Sequence, residues 1–410
     1  MKSKRDSRPT ASDSRNLGIT RARELLNQGL ALHQGGRLAE AERVYLQSLK
    51  AEELPDAHHL LGLLLHQQGR SNEAVPAIER AIRLVPQAAG FHLGYGAALA
   101  ALGHLGPASA AFRRALAARP ADQLAFRNLA TAELGLDRPE HALATAGRAC
   151  LLDRNDTTAW TAQAHAARRL GRLDVAAEAC RAALAVDPAS DEARFLLATL
   201  EGTPSRSPPA YVRQVFDKYA GHFDRELVGR LSYRTPEMLA ELTVRHLEPA
   251  AKSLSVLDLG CGTGLAGVAL AALTRRIVGL DLSPAMLAEA RKRELYSDLV
   301  EGDVESMAFE ERFDLAVAAD VLNYLGDLGP TFDAIGRVLA PGGSILFSVE
   351  ELTDGETFRL TDDLRYVHAG GHIRRLASAR GWTELASERA ALRRQGGKPV
   401  DGLLFLFRVS

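Results

Sequence analysis

Between Ala22 and Ser190 small residues return every 34 positions. Gly62, Gly96, Ala130 and Ala164 form one series, and Ala74, Ala108, Ala142 and Ala176 a second. Ala81, Ala115, Ala149 and Ala183 form a third. Pro86, Pro120 and Pro188 close their units, with Arg154 standing where another proline would fall. One position in the second half of each unit is held by Tyr45, Ile78, Phe112, Ala146 and Cys180 in turn. A unit of this length is a hairpin of two helices, with apolar faces that only a neighbouring unit can bury. An ordinary alanine-rich bundle would not keep this register.

The period and the small-large-small pattern resemble tetratricopeptide repeats. Five units are read: 22–54, 55–88, 89–122, 123–156 and 157–190. Residues 191–200 resemble a capping helix, which closes an all-α solenoid over residues 21–203. The resemblance implies a concave groove lined by the first helix of each unit and suited to a protein or peptide partner. His33, His59, His66 and His165 are expected there with Arg127, Arg168 and Arg169, interleaved with Leu63, Leu93, Ala97 and Leu124. The Lys/Asn pattern that clamps carboxy-terminal chaperone tails does not occur. Residues 1–20 are polar and basic, without an apolar signal core, and read as a disordered arm. Gly202 to Pro209, GTPSRSPP, supplies a proline- and serine-rich linker, placed at residues 204–210.

Ser253 to Gly264 reads SLSVLDLGCGTG: an apolar run, three alternate glycines, then a helical pattern. Buried parallel strand, glycine turn and helix open a nucleotide-type α/β fold. The spacing is Gly-x-Gly-x-Gly, which departs from the nicotinamide fingerprint. Asp258, before the first glycine, suits a ligand with a cationic amine. Asp281 ends the next strand, 21 residues after Gly260, where a carboxylate accepts ribose hydroxyls. Asp303 in LVEGDV is placed to meet an adenine amine.

Together these motifs resemble the class I S-adenosylmethionine-dependent methyltransferases, over residues 211–410. The resemblance implies a Rossmann-like domain with a seven-stranded sheet, its last strand antiparallel. It implies S-adenosylmethionine as cofactor, held by Asp258, Gly260, Cys261, Gly262 and Gly264, by Asp281, Leu282 and Met286, and by Asp303, Val304 and Asp320. The segment after Tyr211 has helical spacing at Val215, Tyr219, Phe223 and Leu227. It is similar to the lid of small-molecule methyltransferases, including the malonyl-carrier O-methyltransferases of biotin synthesis. Tyr219 and Phe223 are thereby expected over the cofactor, with Tyr233 or Arg234 at the mouth.

Such chemistry needs alignment more than a fixed catalytic motif. His368 and Tyr324 are the candidate proton acceptors. The strand end AADVLNYL lacks the D/N-P-P-Y/F turn of amide and base methylation, and no basic, aromatic-interleaved module points to nucleic acid. Net charge is -1, from 25 basic and 21 acidic residues in positions 1–200 and 25 and 30 in the remainder. Cys150, Cys180 and Cys261 have no metal-ligand spacing, so no metal is expected and a reducing, cytoplasmic setting is. No stretch is long and apolar enough to span a bilayer. The reading is a methyltransferase acting on an O or N acceptor, free or carrier-bound, with the repeats as its partner arm. The alternative is a non-catalytic cofactor-binding adaptor.

Overall fold

The computed structural model describes residues 11–202, 204–224, 233–355, 357–395 and 398–410. Leu227 of the lid pattern lies outside the described residues. The chain divides into two compact units, Met1–Pro188 and Ala189–Ser410.

The described residues of the first unit form ten helices in five hairpins. These are α1 (Ala11–Gln34) with α2 (Leu38–Ala51), α3 (Pro55–Gln67) with α4 (Ser71–Leu84), and α5 (Ala89–Ala101) with α6 (Leu105–Ala118). Then come α7 (Gln123–Gly135) with α8 (Pro139–Leu152), and α9 (Thr157–Arg169) with α10 (Leu173–Val186). The segment read as a disordered arm is helical from Ala11 onward. Nothing from Ala11 to Leu17 is proline or glycine, so the first helix runs further back than its repeat.

The 34-residue period fixes both turns and packing. Each hairpin turns through a left-handed residue: Gly36, Gly69, Gly103, Asp137 and Gly171, with φ from 56° to 76°. Asp137 holds the one non-glycine place, which aspartate tolerates better than most residues. Within each hairpin a small residue faces a position sixteen further on. A Cβ on Gly29 would lie 2.6 Å from the Tyr45 ring, on Gly62 2.3 Å from Ile78, and on Gly96 2.5 Å from Phe112. Where the first position is Ala130 the second is Ala146, and both sit in one buried cluster. Glycine therefore stands opposite bulk, and alanine opposite alanine or cysteine.

Several side chains expected in the groove are engaged within the solenoid, and those of His33, His59 and Arg169 tie one repeat to the next. His33 Nε2 bonds Gln67 Oε1 at 2.7 Å, and Arg127 reaches Asp156 at 3.3 Å. Arg169 donates to the Leu134 carbonyl at 3.0 Å, while His59 packs on Phe91 with ring centres 4.7 Å apart.

In the second unit the helix read as a repeat cap is α11 (Asp191–Glu201), which follows the division between units at residue 188. Its Phe195 packs on Tyr211 of α12 (Pro209–Tyr219), ring centres 5.1 Å apart. The sheet is built from β1 (Leu254–Leu259), β2 (Thr274–Asp281), β3 (Asp298–Glu301), β4 (Phe313–Ala318) and β5 (Leu339–Glu351). A hairpin of β6 (Phe358–Leu360) and β7 (Tyr366–His368) follows, then β8 (Thr383–Gln395) and β9 (Lys398–Arg408). The order is β3-β2-β1-β4-β5, with parallel pairing. β9 runs antiparallel between β5 and β8.

Among the described residues the sheet thus has nine strands where seven were expected. The core seven keep the expected arrangement, and the additional two are the β6–β7 hairpin. Strand β5 outruns β4, whose last pair is Ala318 with Phe347, and Glu350 and Glu351 of β5 pair with Val367 and His368 of β7. Alternate side chains bury both faces. Leu257 and Leu259 join one core, and Val256 joins the other with Leu239 and Leu242 of α13 (Thr235–Leu247).

Gly96→Ala should lower stability. The new methyl would meet the rigid Phe112 ring, at a cost of about 1–3 kcal/mol that exceeds the ~1 kcal/mol helix gain of alanine over glycine. A urea melt should show the loss, with partial recovery on adding Phe112→Leu. An unchanged midpoint in Gly96→Ala would contradict this packing.

Candidate active site

The strand ends of β1, β2, β3 and β4 open into a cleft. This is where ligands bind in open parallel sheets. Gly260, Gly262 and Gly264 all have positive φ, at 59°, 54° and 94°. At Gly260 a side chain is excluded twice over, because a Cβ would also lie 2.6 Å from Val321 in the loop after β4. Gly264 starts α14 (Leu265–Leu270).

Two acids flank the turn. Asp258 is buried and accepts from Tyr296 Oη at 2.6 Å. Burial raises its carboxyl to about 7, against the Tyr296 hydrogen bond and with help from the charge on Asp281. Asp281 ties two turns together: Oδ2 accepts the Gly262 N–H and Oδ1 the Ser283 N–H, both at 2.8 Å. Burial pushes it above the usual aspartate value, and those N–H groups oppose the shift. Asp303 also lines the cleft, where Arg206 donates to it at 2.7 Å. Leu282, Val304 and Asp320 line it as expected. Cys261 lines it too, but burial raises its thiol well above the ordinary value, so it is not a poised nucleophile.

Three expected residues fall elsewhere. Met286 is fully buried and not among the cleft residues. Ser283 caps α15 (Pro284–Arg291), and this sets Met286 on the inward face with Leu287 and Ala290. Tyr219 is 51% exposed and does not line the cleft. Helix α12 stops there and a 3-10 turn, Ala220–His222, breaks the helical spacing. Val212 and Phe216 line the cleft from α12 instead, with Phe223 beyond the turn. Phe216 makes edge contacts to Phe223 at 5.9 Å and to Tyr324 at 5.4 Å. His368 is fully buried outside the cleft, with Nε2 2.8 Å from the Leu325 carbonyl. Burial lowers it to about 4. It is a neutral structural donor in this geometry.

The lid segment is latched by its acids. Asp217 accepts from Ser283 Oγ at 2.5 Å, and Asp224 bonds Thr263 of the glycine turn and Arg293. Tyr233 is buried against the cleft, whereas Arg234 points outward toward Glu241 at 3.8 Å.

Sequence reading missed the arginines of the far wall. Arg365, in the β6–β7 turn, donates to Tyr324 Oη at 2.9 Å and to Glu350 at 2.6 Å. Arg393 donates to the same Glu350 oxygen at 2.8 Å and lies 3.4 Å from Asp320. Burial works to raise Glu350, but the two guanidinium groups outweigh it and hold the carboxyl below its usual value. Arg393 follows a register shift in β8, a bulge of the kind that re-aims side chains. Neither arginine belongs to a local motif. Among the described residues no His, Cys, Asp and Glu cluster could hold a metal. No described helix is long and apolar enough to cross a membrane.

A parallel sheet of this order, with a glycine turn and acids at successive strand ends, defines the Rossmann-like methyltransferase class. Residues 256–343 match the family model for a methyltransferase domain, and residues 59–106 and 157–200 match tetratricopeptide repeat models. The chain is thus a tetratricopeptide-repeat protein with a methyltransferase domain. It is 29% identical over 164 residues to a malonyl-[acyl-carrier protein] O-methyltransferase of Yersinia pestis, covering 38% of this chain and 58% of that protein. The same-named protein of Legionella pneumophila is 34% identical over 143 residues, covering 33% and 49%. The chain therefore spans only 49% to 58% of the length of these two relatives. The crystal structure of the N-methyltransferase NodS from Bradyrhizobium japonicum with S-adenosyl-L-homocysteine is similar at 23% identity and TM-score 0.34, over 42% of this chain and 86% of that one. Arg365 and Arg393 lie beyond the segment that matches the family model.

The raised Asp258 gives a pH test. Folded, it holds its proton more tightly than the unfolded chain does, so the stability it contributes is full below about pH 4 and is lost as pH rises through about 7. Asp258→Asn should remove a decline of up to about 1.4 kcal/mol per pH unit in that window. Denaturant melts from pH 5 to 8 check this. Parallel curves for parent and variant would show that Asp258 is ionised throughout.

Proposed function

We propose that the chain transfers a methyl group from S-adenosylmethionine to an oxygen or nitrogen of an acceptor that is small or carried on another protein. The observation that carries this reading is the left-handed glycine turn set between Asp258 and Asp281, in one cleft with Asp303. When bound, the cofactor supplies an electrophilic sulfonium methyl. The chain's residues supply binding and alignment.

Their donors and acceptors fit that group. Each Asp281 oxygen accepts one backbone N–H, and an ionised carboxylate has about four acceptor sites, leaving two for ribose hydroxyls. Asp258, once ionised, pairs with the amino group of the methionine moiety. The bare backbone of the glycine turn lets that moiety lie close. Asp303 and Val304 take the adenine end, and Phe216 and Phe223 close over the cleft. The acceptor enters beside Tyr324, Tyr233, Arg365 and Asp320. Arg365 donates to the Tyr324 oxygen, which leaves the phenol hydrogen to orient an acceptor atom.

The two curated relatives are named for a carrier-bound malonyl acceptor, and this favours a carrier-bound substrate as one class to screen. The repeats serve as the partner arm. Three buried cysteines, Cys150, Cys180 and Cys261, in no metal-ligand spacing suit a cytoplasmic protein.

Calorimetry tests the reading. S-Adenosylmethionine and S-adenosylhomocysteine should both bind with micromolar affinity, and labelled methyl should pass to an acceptor in a screen. Asp281→Ala should weaken both ligands about 10-fold or more, as expected for hydrogen bonds to a charged group. Unchanged affinity in that variant would contradict the ribose placement.

A further inference from the structure

Composition makes Gly202–Pro209 a spacer, yet its middle is fixed across the open end of the sheet. The Pro204 carbonyl accepts from Tyr366 Oη at 2.7 Å. The Ser205 carbonyl accepts the N–H groups of Gly326 and Asp327, both at 2.8 Å. Arg206 forms an isolated antiparallel bridge with Leu325, and the Ser207 N–H donates to the Tyr324 carbonyl at 2.9 Å. The Arg206 guanidinium reaches the end of β3, where it holds Asp303 at 2.7 Å and also bonds Glu305. Pro208 and Pro209 then start α12.

Ser207 is the anomaly in this strap. It lines the cleft, is 1% exposed, and its Oγ has no hydrogen-bond partner. Leaving a buried hydroxyl unpaired is unfavourable, and buried polar groups in folded proteins are nearly always paired. The strap cannot swing the hydroxyl into water, because backbone bonds and the Arg206 ion pairs fix it on both sides. The partner it lacks is therefore whatever fills the cleft.

We propose that the strap is part of the cofactor site, and that the Ser207 hydroxyl hydrogen-bonds the nucleoside moiety of the bound cofactor. This rests on reading the cleft as an S-adenosylmethionine site. The nucleoside is favoured over the amino-acid end by position. The Ser207 N–H is bonded to the Tyr324 carbonyl after β4 and the neighbouring Arg206 to Asp303 after β3, which sets the strap across the ends of β3 and β4, whereas Asp258 and the glycine turn belong to β1. A hydroxyl both donates and accepts, so it suits a ribose oxygen or an adenine nitrogen.

The test is calorimetry on the full chain with two ligands, S-adenosylhomocysteine and 5′-methylthioadenosine, which keeps the nucleoside and lacks the amino acid. Ser207→Ala should weaken both by about 5–10-fold, the effect of one lost hydrogen bond, while the melting midpoint without ligand stays the same or rises. Should Ser207→Ala fold poorly, Ser207→Cys keeps the volume with a weak donor and should lose affinity in the same direction. Parent-like affinity of the variant for both ligands would overturn the strap assignment alone. A loss confined to S-adenosylhomocysteine would also overturn it, by placing the hydroxyl at the amino-acid end. Failure of the parent protein to bind either ligand would overturn the cofactor reading, and the strap with it.

Discussion

The carboxylate of Asp281 is the joint on which the second unit depends. One oxygen holds the Gly262 N–H and the other the Ser283 N–H, so a single side chain fixes the turn after β1 and the turn after β2. The first turn needs left-handed backbone at three glycines, a conformation with little to hold it in isolation. Burial works against the ionised form of Asp281, and the two N–H groups partly compensate. Asp281 also lines the cleft, where the proposed function has it accept the ribose hydroxyls. Binding capacity is thus a by-product of the bonds that keep the loops in place.

Legibility in the sequence followed locality. The repeats were readable because a 34-residue period repeats both the left-handed turn and the pairing of small residues with large ones. The glycine turn, Asp258, Asp281 and Asp303 were readable because each sits at the end of an apolar run in a parallel sheet. Helical spacing misled where regular structure stopped. Tyr219 kept the period on paper, but the face of α12 that meets the cleft is that of Val212 and Phe216, and Phe223 joins them only beyond the 3-10 turn. Met286 was displaced by the Ser283 cap, and His368 by burial beneath the β4–α16 loop, where α16 is Gly329–Val338.

At the far wall of the cleft Asp320, Tyr324 and Tyr233 were readable, but its arginines were not. Arg365 arrives on an added hairpin and Arg393 after a bulge, and they meet over Glu350 from positions 15 and 43 residues away in sequence. Two guanidinium groups and two carboxylates, Glu350 and Asp320, compensate one another there. Removing one partner would leave a buried charge exposed to its neighbours without compensation, which is costly. Such a cluster holds the shape of that wall, and its arginines lie outside the segment that matches the family model. The strap at Ser205–Ser207 escaped notice for the opposite reason, since its composition is that of a spacer.

The most direct measurement is a crystal structure of the full chain soaked with S-adenosylhomocysteine. The account predicts ribose hydroxyls on Asp281, the amino group on Asp258, and the homocysteine chain against the glycine turn. Density for the ligand elsewhere on the protein, or in the cleft with its ribose away from Asp281, would contradict it.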